Sequence, residues 1–273
     1  MTNLFLSEFK RLWSRKSTII CFLLIPIVLI ATSKYYLGVN KTMDITNPQY
    51  TSFFNFPVAA LQEQLLLVFN GVVILFLVLS VTQEVCDGSI RMVLIRRFKP
   101  EEIFVCKFIV TLITVFLYLV IYLILAYIIG FFMFEKLDNV SVFYFSKTFN
   151  GFELFLYTIK YYFLSFLTLI SVASLVFFIS TISKSVIIAL GTSAGLILGL
   201  MAYPTIIRVF LYKSKNIIKY TLLSITEIQH EGIAMMLGED KLFINFSLFV
   251  VLVYIVVFFF ITYVIYKKSD QLM

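Results

Sequence analysis

The chain has 273 residues, 61% hydrophobic and 18% aromatic, with 14% charged residues and a formal charge of +7. Soluble domains carry about 25% charged residues, so there is too little polar surface here to coat a water-soluble globule. The apolar residues also come in blocks rather than with a strand or amphipathic-helix period, which points to an all-α integral membrane protein. The positive charge is assigned to the basic flanks of membrane spans rather than to a nucleic-acid surface. Cys21, Cys86 and Cys106 are too few and scattered for a disulfide framework or a zinc site.

On a helical wheel residues 1–17 place Phe5, Leu6, Phe9, Leu12 and Trp13 on one side and Lys10, Arg11, Ser14 and Arg15 on the other. This predicts an interfacial helix in the membrane plane. The apolar run behind it spans about twenty residues with no small-x-small cleavage site, so no cleaved signal peptide is expected. Six spans follow, at 18–37, 64–82, 108–134, 158–182, 186–207 and 242–266, each long enough at about 1.5 Å per residue for a hydrocarbon core of about 30 Å. The whole chain is one transmembrane domain. Pro26 falls inside the first span and is expected to kink it. Gly191, Gly195 and Gly199 strip one face of the fifth span, which predicts close packing of another helix, within or between subunits.

Six spans put both termini on one side, and the positive residues say which. Lys10, Arg11, Arg15, Lys16, Arg91, Arg96, Arg97, Lys99, Lys107, Lys184, Lys267 and Lys268 cluster in the short segments of one side, whereas the other ten of 22 are spread over longer loops. Positive residues are retained in the cytoplasm, so the termini and residues 83–107 are expected there, with the protein in the plasma membrane.

The chemistry of the spans is sparse. Almost no ionisable residue is expected inside them, and Lys34 and Lys160 read as anchors near span ends. That argues against a proton-coupled antiporter and an intramembrane metalloprotease. No GxxxxGK[ST] phosphate loop is present, so the chain is not expected to be an ATPase or another enzyme. His230 with Met235 and Met236 reads as packing rather than a metal site, and Glu227, Glu231, Glu239 and Asp240 as a solvated face of a long outer loop.

The stretch from Glu84 to Lys107 is different. Gly88 and Ser89 suit the start of a short helix with Ser89 as its cap, and Ile90, Val93, Leu94 and Ile95 give it an apolar side for a groove, next to Arg91. Pro100 ends that helix, and Glu101 and Glu102 open the third span at its positive end. Gly88 is expected to supply a turn that a Cβ would obstruct, and Glu84 to pair with a cation on this lever or on a partner. Replacing either is expected to abolish function without loss of abundance.

These residues resemble the type-2 family of ATP-binding-cassette permeases, whose stretch after the second span reads approximately E-x-x-x-G-T-L-x-x-L-L-x-x-P-x-S-R-x-x-I-x-x-G-K. Glu84, Gly88, Leu94, Ile103 and Lys107 match in register, with Ser89, Ile90 and Val93 as close substitutes, while Arg97, Lys99, Pro100 and Cys106 depart from it. The resemblance implies that the segment around Gly88 is a coupling helix seated in a separate cytoplasmic ATPase, two copies of which bind ATP and Mg. It also implies a second permease, identical or paralogous, as partner. The bias toward Ile, Phe, Lys and Asn resembles proteins of low-GC Gram-positive bacteria, where such permeases export bacteriocins, cytolytic peptides or drugs. The expected cargo is therefore an amphipathic or antimicrobial peptide or a hydrophobic drug. The alternatives are a non-transporting sensor or assembly subunit coupled to an ATPase, and a lipid-modifying membrane enzyme, for which no convergent polar groups are evident.

Overall fold

A computed structural model describes residues 2–87, 100–137 and 139–268. Its helices are α1 (Thr2–Trp13), α2 (Lys16–Asn40), α3 (Phe56–Cys86), α4 (Pro100–Met133), α5 (Gly151–Ile182), α6 (Val186–Phe210), α7 (Ile217–Thr221), α8 (225–237) and α9 (Ile244–Lys268). The hairpin strands β1 (Val140–Ser141) and β2 (Thr148–Phe149) pair antiparallel, Val140 opposite Phe149. The chain is an all-α membrane protein in which α2, α3, α4, α5, α6 and α9 are long and apolar enough to cross a bilayer.

These six helices alternate in direction. At one end, the near end, the Cys86 thiol meets the Lys184 carbonyl at 3.4 Å and the Thr82 hydroxyl donates to the Ser180 carbonyl at 2.8 Å. At the far end the Phe53 amide donates to the Glu135 carbonyl and the Glu239 amide to the Tyr144 carbonyl, at 2.9 and 3.0 Å. Gly238 is needed there because a Cβ would stand 2.7 Å from Cβ of Tyr144, itself held at a φ of 65°.

The most central helices are α3 and α5, two-thirds of whose apolar windows are buried, against 17% for α6 and α9. α5 packs along α9 and against α3, and α2 packs on α4. Rings fill the joints: Phe104 and Phe108 of α4 stack on Phe177 of α5 at 4.7 and 5.1 Å, and Phe69 of α3 meets Tyr118 and Tyr122 edge-on at 5.2 and 5.0 Å. Such geometry adds about 0.5–1.5 kcal/mol per pair beyond area burial. Hydroxyls inside the helices bond back to their own backbone, Thr111 to the Lys107 carbonyl, Thr114 to Val110 and Thr158 to Leu154, which lets polar residues sit at membrane depth.

Several helices outrun the predicted spans. α3 begins at Phe56 rather than 64, with Pro57 in the first turn, where its missing N–H costs nothing; the polar run Gln62, Glu63, Gln64 masks this in the sequence. α4 begins at Pro100, beside the Glu101 and Glu102 expected to open it, so Lys107 lies two turns inside the helix and ahead of the predicted span. α2 continues on both sides of Pro26. The outer loop is also partly helical and folded inward: Ile225, Ile228 and Ile233 are fully buried, and the Ser224 hydroxyl donates to the carbonyl of Leu200, midway along α6. Irregular backbone at such depth is stable only when covered by protein.

Candidate functional site

The near end carries the strongest concentration of charge chemistry in the described residues. Glu8, Glu84 and Lys107 are all 5% exposed or less. Lys107 Nζ donates to Glu84 Oε2 at 2.5 Å, Glu8 Oε2 at 2.8 Å and the Ser80 carbonyl at 2.9 Å. Arg15 holds Glu84 Oε1 and Gln83 Oε1 through separate nitrogens, both at 2.7 Å. Arg11 pairs with Glu8 at 2.5 Å and also with Glu84. Among the described residues three cations thus face two carboxylates, drawn from α1, the link between α1 and α2, the last turns of α3 and the second turn of α4.

Local sequence explains the convergence. On α1, Glu8 and Arg11 lie three residues apart and share a face, and Arg15, in the extended link just before α2, reaches Glu84 from there. Leu4 and Leu12 bury against Ile103, Cys106 and Val110 of α4, with Phe5 and Phe9 partly buried beside them. The Trp13 indole donates to the Thr114 hydroxyl at 3.3 Å, and the rings of Phe5, Phe9, Trp13 and Phe22 stack in series at 6.1, 5.5 and 5.0 Å. Much of the apolar stripe expected to face lipid therefore packs on protein, and Arg11 and Arg15, expected to face solvent, point into the bundle. Leu6 stays exposed.

Of the predicted coupling residues, Glu84 and Lys107 meet in this cluster, while Gly88, Ser89, Ile90, Arg91, Val93 and Leu94 lie outside the described residues. Among the described residues the cations on Glu84 are Arg11 of α1, Arg15 of the link before α2 and Lys107 of α4. Ionisable groups inside the helices are thus less rare than expected, because Lys107 was counted as a flank. Gly191, Gly195 and Gly199 lie exposed on α6, and nothing in the described residues comes within 4 Å of a Cβ at any of them. The close-packing helix expected there is not part of this chain's described residues.

Two far-end features escaped the sequence reading. Asn70 in α3 and Gln229 in α8, both buried, exchange reciprocal side-chain hydrogen bonds of 2.8 and 3.1 Å. Each sits at a π-turn, Leu65–Phe69 and Ile228–Gly232, and the two turns abut. Glu227 is buried and paired with Arg208, which also reaches Glu231 at 3.2 Å. Burial pushes the Glu227 carboxyl up from its ordinary range, against the pull of Arg208. The expected solvated acidic face is therefore corrected at Glu227. Met236 is buried and His230 exposed, its carbonyl accepting from Gln62 at 3.1 Å.

No curated protein and no solved structure matches the chain. Residues 19–272 match the family model described as protein of unknown function DUF2705, and the chain belongs to that family.

Proposed function

We propose that this chain is the permease subunit of an ATP-driven cassette exporter, working as a pair with a second copy or a paralogue. A separate cytoplasmic ATPase in two copies supplies the ATP and Mg site. The observation that carries this reading is the buried ion cluster that brackets residues 88–99, with Glu84 on one side of the segment and Lys107 on the other. A lever transmits a push only when both its ends are fixed to rigid elements. Here α3 and α4 are tied to each other and to α1, through Glu84 at the last turn of α3 and Lys107 two turns into α4. The match of Glu84, Gly88, Leu94, Ile103 and Lys107 to the coupling stretch of the type-2 permeases supports the same reading. The open glycine face of α6, flanked by exposed Ile187 and Leu198, suits close approach by a second permease. The aromatic-rich spans suit amphipathic peptides or hydrophobic drugs as cargo.

The purified chain alone is expected to hydrolyse no ATP, and to copurify with a cassette ATPase in a two-to-two assembly. Stoichiometric ATPase activity intrinsic to the chain would sink the proposal. An assembled complex that accumulates no labelled peptide in inverted vesicles would replace the exporter with a sensor.

Orientation has a simple check. Cys86 is exposed, whereas Cys21 and Cys106 are buried, so an impermeant thiol reagent reports on Cys86 in the natural sequence. The thiol is expected to stay unlabelled in intact cells and to react in inside-out vesicles. Labelling from outside would reverse the topology and remove the coupling role with it.

A further inference from the structure

At the far end, the last turns of α2, the 41–55 segment, the first turns of α3 and α5 and the start of the hairpin enclose a cleft of about 420 Å³. That lies within the range of about 300–1,000 Å³ typical of small-molecule sites. Its walls divide by chemistry. Val58 and Leu154 give an apolar side, while Tyr35, Tyr36 and Glu63 form one polar corner. The Tyr36 hydroxyl stands 3.2 Å from the Ala59 carbonyl and 3.4 Å from Glu63 Oε1, and the two tyrosine rings meet edge to face at 5.3 Å. Among the described residues no Lys, Arg or His nitrogen comes within 4.0 Å of the Glu63 carboxylate.

We propose that this cleft binds an amphipathic organic amine. The ammonium group would sit between Glu63 and the faces of Tyr35 and Tyr36, a carboxylate giving a charge-assisted hydrogen bond and the rings a cation–π contact. The hydrocarbon part would lie along Val58 and Leu154. An anion is repelled by Glu63, and a neutral molecule of the same shape leaves the carboxylate without a counter-charge, so the corner discriminates by charge. Gln62, beside Glu63, is bonded to the His230 carbonyl, and Ala234 lines the cleft, which sets the cleft against α8. The proposal goes beyond the exporter reading, since binding here requires neither an ATPase nor transport.

The test compares tryptamine with tryptophol, which keeps the indole and replaces the ammonium by a hydroxyl. Binding is measured by equilibrium dialysis against the full chain in nanodiscs, with empty nanodiscs subtracted. Tryptamine is expected to bind about tenfold tighter, a modest factor because Glu63 is exposed and its charge screened. Glu63→Gln is expected to bring tryptamine down to the affinity of tryptophol. Because Glu63 is exposed and makes no ion pair within 4.0 Å among the described residues, this variant is expected to keep the wild-type melting temperature. Absence of tryptamine binding, equal affinity for the two probes, or a preference that survives Glu63→Gln would each overturn the proposal. The copurification result decides the exporter reading separately.

Discussion

Replacing Glu84 by glutamine is expected to destabilise the protein by about 3 kcal/mol, while Lys107→Met costs no more than about 1–2 kcal/mol, although Lys107 is the more buried of the two. The order follows from charge balance. Among the described residues three cations share two carboxylates in the cluster. Glu84→Gln keeps the shape but leaves Arg11 and buried Lys107 on Glu8 alone and takes the carboxylate from Arg15. Lys107→Met leaves two cations and two carboxylates, and the main loss is the donor to the Ser80 carbonyl. The Glu84 figure is set at the low end for breaking a buried pair because Arg11 and Arg15 remain partly exposed and solvated. The double variant Glu84→Gln/Lys107→Met is expected to be more stable than Glu84→Gln, with a coupling of about 1 kcal/mol or more. Melting in mild detergent gives the ranking. Trypsin cleavage between Lys10 and Lys16 reports whether α1 has come away. Lys107→Met melting below Glu84→Gln, or no rescue in the double variant, would show that the cluster is not held by its charge balance.

This cluster also revises an expectation drawn from sequence alone, that Glu84 can be changed without loss of abundance. A change at a residue that anchors α1 to α3 and α4 does not separate loss of function from loss of folding so cleanly. For that purpose Arg15 is the better probe, since it is partly exposed and Glu84 keeps Arg11 and Lys107 without it.

The spans were legible because about 20 consecutive apolar residues leave a chain few other options, and Glu84 and Lys107 were singled out by their match to the coupling stretch of the type-2 permeases. Glu8 was not. On α1 it reads as an (i, i+3) partner of Arg11, and that pair exists; the second partner, Lys107, is 99 residues away and depends on α4 starting at Pro100. The inward fold of 225–237 was obscured for a related reason. Glu227, His230 and Glu231 make the segment look solvated, and only the spacing of Ile225, Ile228 and Ile233 hints at a buried face. A lone Asn70 in an apolar run was the one readable signal at the far end, since a polar side chain at that depth needs a partner.

That partner is Gln229, and removing it is expected to cost about 2 kcal/mol, because the Asn70 amide is then buried with two bonds fewer. The isosteric Gln229→Met keeps the volume and isolates the polar loss. Asn70→Ala is expected to cost at least as much, since the Asn70 amide also donates at 3.1 Å to the Leu66 carbonyl, inside the π-turn. A π-turn carries one more residue per hydrogen-bonded ring than an α-turn and disturbs the regular pairing of backbone groups, so this side-chain donor is part of what makes the turn tolerable in an apolar surround. With Gln229→Met already present, Asn70→Ala no longer leaves a buried amide short of partners, and the double variant is expected to be about 1 kcal/mol more stable than the two single losses added together. Interhelical polar pairs in membranes average about 0.6 kcal/mol with a maximum near 1.7 kcal/mol; the reciprocal bonds and the full burial of both amides place this pair in the upper part of that range. Denaturation of the four proteins in mixed micelles measures the coupling. Strict additivity would mean that each amide is satisfied without the other, and that α3 and α8 are joined at their π-turns by packing alone.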